Sequence, residues 1–118
     1  MKIDLTNRHA FVCGSTQGIG WGIAKRLAES GAKITLASRN EAKLAQLKSE
    51  LPAGPHEYMV LDQSKVHDIE EAADRLKNLT VDILINNPGG PDPGLVHAEP
   101  WSKFEQALTQ QLRCAHLL

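Results

Sequence analysis

The chain has 118 residues, 42% hydrophobic and 23% charged, with a formal net charge of -1. That is enough for one domain with a real core, and too balanced for an electrostatic pull toward nucleic acid or an anionic membrane. No apolar run approaches the ~20 residues that span a bilayer, and Met1-Lys2-Ile3-Asp4-Leu5 carries no apolar signal-peptide core.

Apolar strands alternate with helical patterns, which predicts an α/β fold with a parallel sheet. The first strand is His9 to Cys13. A helix from Gly18 to Ser30 follows, with Ile19, Ile23, Ala24, Leu27 and Ala28 on its inward face and Gly31 just past its end. Lys33 to Ser38 reads as the second strand. Asn40 can cap a helix that carries Leu44, Leu47 and Leu51, ended by Pro52-Ala53-Gly54-Pro55. Tyr58 to Leu61 is the third strand, closed by Asp62, and Ser64 can cap a helix burying Ile69, Ala72, Ala73 and Leu76. Val81 to Ile85 reads as a fourth, wholly buried strand. After a Pro/Gly-rich loop over 86–100, a last helix begins at Trp101, with Phe104, Leu108, Leu112 and Ala115 along one side. Right-handed crossovers give a Rossmann-type doubly wound sheet of order 3-2-1-4, a single dinucleotide-binding domain over 1–118. Its apolar fourth strand lies at an edge, so the chain reads as the N-terminal part of a longer fold.

The run Gly14-Ser15-Thr16-Gln17-Gly18-Ile19-Gly20 links the first strand to the first helix. Gly14 lets the chain leave the strand at positive φ. Gly18 removes a side chain where backbone approaches phosphate, and Gly20 allows close helix packing. Ser15 and Thr16 add hydroxyls, and the helix N-terminus offers free N–H groups to a pyrophosphate.

The spacing is G-x-x-x-G-x-G, and here the chain resembles the short-chain dehydrogenase/reductase family over essentially its whole length. Cys13 to Gly20 matches the family's T-G-x-x-x-G-I-G, with Cys13 in place of Thr. Asn86-Asn87-Pro88-Gly89 matches N-N-A-G, with Pro88 in place of Ala, and Asp62 closes the third strand. The resemblance implies an oxidoreductase that interconverts a carbonyl and an alcohol, acting on a small molecule in the cytoplasm as a homo-oligomer. Its 89–94 loop resembles that of ketoacyl-carrier-protein reductase-like members. The resemblance also implies that Asp62 and Gln63 lie beside adenine, and that Asn87, Pro88 and Gly89 lie along the adenosine ribose. Asp62 can equally cap the following turn, and Asn86 can hold loops together or meet the cofactor.

The end of the second strand distinguishes NADP from NAD. An acid there would bind the ribose 2′-OH, whereas an arginine accommodates a 2′-phosphate. Ser38-Arg39-Asn40 contains no acid, so NADP is expected over NAD, with Ser38 and Arg39 at the phosphate and Glu41 as the nearby opposing charge. Arg39 as an ordinary surface charge is the alternative.

The family's chemistry uses a Tyr-x-x-x-Lys pair. The only tyrosine is Tyr58, in a strand, and residue 62 is Asp. A truncated, non-catalytic nucleotide-binding module is therefore the competing reading. Aligning Gln111-Leu112 with the family's Asn-Leu gives Gln111 the helix position that holds a water for proton relay; a register one residue earlier gives it to Gln110. Cys13 and Cys114 are expected as free thiols, and His9, His56, His67, His97 and His116 show no metal spacing.

Overall fold

The structure is a computed structural model that describes residues 3–88 and 94–118. Four parallel strands, β1 (His9–Cys13), β2 (Lys33–Ser38), β3 (Glu57–Val60) and β4 (Ile83–Ile85), lie in the order β3-β2-β1-β4. Cys13 pairs with Ala37 and Val12 with Ile85, so the ends of β1, β2 and β4 finish side by side. Loops after those ends converge, and the site is built there.

Strand alternation makes two cores. Ala10, Val12, Ile34 and Leu36 face α1 (Gly18–Glu29) and α2 (Glu41–Glu50), meeting Ala24, Ala28, Leu44 and Leu47. Phe11, Cys13 and Ala37 face the other way, toward Ile69 and Ala72 of α3 (Val66–Leu76) and toward Cys114. Asn40 caps α2, its side chain accepting from the Lys43 amide at 3.1 Å.

Two buried histidines tie the strands at the far end. His9 Nδ1 donates to the Thr80 carbonyl at 2.9 Å, and its Nε2 accepts from the Thr35 hydroxyl at 2.7 Å. His56 Nδ1 accepts from the Ile34 amide at 3.0 Å, and its Nε2 donates to the Pro52 carbonyl at 2.8 Å. A carbonyl can only accept and an amide N–H only donate, which fixes both tautomers.

Several local expectations are corrected. Helix α1 stops at Glu29, and Ile19 is 77% exposed because the first turn overhangs the strand ends rather than the sheet. Lys65, not Ser64, stands at the N-cap of α3; the Ser64 hydroxyl donates instead to Asp62 Oδ1 at 2.6 Å. Strand β4 is shorter than expected and only half-buried, as an edge strand with one ladder partner in this sheet. The last helix, α4 (Trp101–Leu108), passes through a π-helical turn (Thr109–Arg113) into α5 (Cys114–Leu117). The wider turn shifts the helical phase. Thr109 and Cys114 are buried, while Leu108 and Leu112 are 51% and 65% exposed, so the expected inward stripe breaks at the bulge.

Candidate functional site

At the convergent strand ends the glycine turn is held by close backbone approach. Gly14 and Gly18 have φ of 58° and 57°, the left-handed region that glycine enters without strain. A Cβ on Gly14 would collide with the Asn87 carbonyl oxygen, and one on Gly20 with the Gly14 carbonyl oxygen. A Cβ on Gly18 would meet nothing within 4 Å, so that position opens onto the cleft. Gln17, at the N-cap of α1, makes no side-chain capping bond, and the first turn carries no acid. The N–H groups and positive dipole end of α1 thus border open space.

That space is a cavity of about 700 Å³. Of the expected cofactor residues, Gly14, Thr16, Gln17, Gly18 and Ile19 line it from the turn, and Ser38 and Arg39 from the end of β2. Asp62 and Gln63 line it after β3, and Asn87 and Pro88 after β4. Gly89 lies outside the described residues, as does the rest of 89–93.

Ser15 and Gly20 are placed differently. Ser15 is fully buried; its hydroxyl oxygen accepts from the Ala37 amide at 3.1 Å, extending the β1–β2 pairing into the turn. That hydroxyl serves the sheet and does not border the cavity. Gly20 is buried beneath the turn, where it makes room for the Gly14 carbonyl.

Asp62 accepts from both the amide and the hydroxyl of Ser64, at 2.9 and 2.6 Å. Burial alone would raise its carboxyl, but the Ser64 hydrogen bonds and the charges of Arg39 and Lys65 outweigh this and hold it below the usual carboxylate range. It stays an ionised acceptor at neutral pH. Glu41, the acid nearest Arg39 in sequence, does not line the cavity; its carboxylate accepts from the Tyr58 hydroxyl at 3.3 Å. Asn86 is exposed, and it is Asn87 that ties the loops, its amide donating to the Gly14 carbonyl at 3.3 Å.

The sequence reading missed two residues of the far wall, Lys103 and Gln106, and one cation. Lys103, Gln106 and Gln110 line the cavity from the last helix, and Lys43 lines it from α2. The polar trio at i, i+3 and i+7 was legible as a stripe, but the apolar residues of that helix set the phase instead. Gln111 is exposed and does not border the cavity. Gln110 does, with Oε1 buried and without a hydrogen-bond partner. Gln110 shares the helical face of Lys103 and Gln106, so the register one residue earlier is the one that meets the cavity.

A parallel 3-2-1-4 sheet with a glycine turn opening its first helix at the strand ends is a Rossmann-type nucleotide-binding architecture. The family model described as short chain dehydrogenase matches residues 8–114, and the chain belongs to that family. The uncharacterized oxidoreductase YvaG of Bacillus subtilis is 38% identical over 109 residues, which cover 88% of this chain and 41% of YvaG. The solved Pseudomonas aeruginosa RhlG/NADP active-site complex superposes with a TM-score of 0.84 at 27% identity, covering 98% of this chain and 46% of that one. A 3-oxoacyl (acyl-carrier-protein) reductase from Agrobacterium tumefaciens with NADP bound gives a TM-score of 0.86 at 25% identity, with 96% and 45% covered. The chain thus spans less than half the length of these relatives.

Proposed function

We propose that this chain forms the cofactor-binding half of an NADP-dependent oxidoreductase that interconverts a carbonyl and an alcohol on a small molecule. The observation that carries the reading is the charge around the end of β2. Arg39 borders the cavity without an ion-pair partner among the described residues, and no acid stands at the strand end to hold a ribose 2′-OH. Glu41 is turned toward Tyr58 instead. A carboxylate beside a 2′-phosphate would repel it, whereas a guanidinium binds it through paired charge-assisted hydrogen bonds.

The remaining walls fit the same ligand. The uncapped N-terminus of α1 suits a pyrophosphate, and the open space over Gly18 lets phosphate oxygens reach backbone N–H groups. Asp62 is an acceptor suited to an adenine amino group. The exposed Ile19 gives an apolar wall at the mouth. NADPH, when bound, supplies the hydride. Gln110 takes the role first considered for Gln111: its orphan carbonyl oxygen is suited to holding a water at the cleft. The exposed Leu108 and Leu112 support a homo-oligomer, and the two free, buried thiols fit a cytoplasmic protein.

Fluorescence titration of NADPH and NADH against Arg39→Glu tests the reading. NADPH affinity is expected to fall at least tenfold and NADH affinity to change less than twofold. Equal losses for both would refute the 2′-phosphate assignment.

A further inference from the structure

Arg39 is not the only cation on its wall of the cavity. Lys43 lies on the same wall, one turn into α2 and partly buried. Its position is fixed from the backbone outward. The Ser38 hydroxyl accepts from the Asn40 amide at 3.2 Å, and the Asn40 side chain accepts from the Lys43 amide at 3.1 Å. The turn that carries Arg39 and the helical turn that carries Lys43 are thereby locked together.

Arg39 acts on the Asp62 carboxylate, but Lys43 has no such compensation among the described residues. Lys43 has Arg39 and Asn40 before it at four and three residues, and Gln46 and Leu47 after it, so no helical neighbour is acidic. Lys33, Lys65, Lys77 and Lys103 each have a carboxylate partner, while Lys43 has none among the described residues. Both cations also sit at the N-terminal end of α2, where the helix dipole disfavours positive charge. An anion held between Arg39 and Lys43 would supply the charge that Lys43 lacks and suit the positive end of the helix. Asp62, the one carboxylate among the described residues lining the cavity, accepts two hydrogen bonds from Ser64, feels the charges of Arg39 and Lys65, and makes no ion pair with Lys43.

We propose that Lys43 is a second specificity-determining residue, closing with Arg39 on a single phosphate monoester at the ribose 2′ position. The inference rests on the NADP reading above and adds to it a residue and a geometry. Arg39 offers a planar fork, whereas Lys43 offers a compact charge that approaches from the helix side.

Calorimetric titration with adenosine 2′,5′-bisphosphate and adenosine 5′-monophosphate, which differ only in the 2′-phosphate, separates the possibilities. Lys43→Met is expected to weaken the bisphosphate about tenfold and the monophosphate less than twofold. Lys43→Arg is expected to restore most of the loss. The monophosphate also reports whether each variant has kept the adenosine site. An unchanged bisphosphate affinity in Lys43→Met, or equal losses on both ligands, overturns the role of Lys43. If Arg39→Met still weakens the bisphosphate selectively in that case, the NADP reading stands alone. A wild-type protein that binds the bisphosphate no more tightly than the monophosphate overturns both.

Discussion

The side-chain amide of Asn87 donates to the carbonyl oxygen of Gly14 at 3.3 Å, and this one bond joins the end of β4 to the glycine turn. The same carbonyl is why residue 20 has no side chain, since a Cβ there would collide with it and crowd the Asn87 amide. Asn87→Ala is expected to lower unfolding free energy by about 1 kcal/mol, the net worth of a partly buried hydrogen bond. Gly20→Ala is expected to cost about 2 kcal/mol, because the obstacle is backbone and cannot rotate away. The two share a partner, so the double variant should fall short of the sum. Urea denaturation of the four proteins measures this, and strict additivity would break the link between the two sites.

The parts of the fold that were legible rest on short-range rules. His9–Cys13 was recoverable because apolar residues face both cores, and Asn40 because its side chain caps the next helix. The glycine turn was legible because positive φ and close backbone approach leave few other residues possible. What was not legible depends on distant partners or on details of helix phase and start. Ser15 looked like a phosphate donor until Ala37, 22 residues away, occupied its hydroxyl. Ser64 looked like a helix cap, but α3 begins one residue later, with Lys65 at its N-cap. Lys103 and Gln106 were lost because that helix was read by its apolar residues, although the two share an ordinary helical face with Gln110 at i, i+3 and i+7. Lys43 was hidden on a helix read only by its leucines.

Gln110 bears an unmet hydrogen-bonding demand. Its Oε1 is buried without a partner, which costs about 1–3 kcal/mol relative to a satisfied or apolar group. Replacement by the similarly shaped methionine removes that demand. Gln110→Met is therefore expected to raise unfolding free energy by about 1 kcal/mol, while a residue serving only the fold would lose stability. The same substitution should weaken hydrogen bonding to whatever occupies the cleft. Thermal unfolding with and without NADPH reads both effects: a higher Tm alone and a smaller ligand-induced rise. A lower Tm in the free protein would show that Gln110 is held for structure.

Cys13 and Cys114 share the core that lies under the end of β1. Burial pushes both thiols up from their ordinary range, and Cys114 reaches about 11, chiefly through burial and further because a charge on Cys13 would oppose its own. In the unfolded chain a thiol ionises near pH ~8.5. Above that value the unfolded state loses protons that the folded state keeps, so stability must fall as pH rises. The contribution of Cys114 is fully present below the unfolded value and is lost progressively as pH climbs toward 11. Tm measured from pH 7 to 11 is expected to decline, and Cys114→Ala is expected to decline less steeply over the upper part of that range. The two proteins differ only at residue 114, so the difference in slope isolates the thiol. Ellman's reagent at pH 8 gives an independent reading: the folded protein should react slowly and the denatured chain should release two equivalents. Rapid reaction of the folded protein, or parallel pH slopes, would contradict a neutral buried thiol at Cys114.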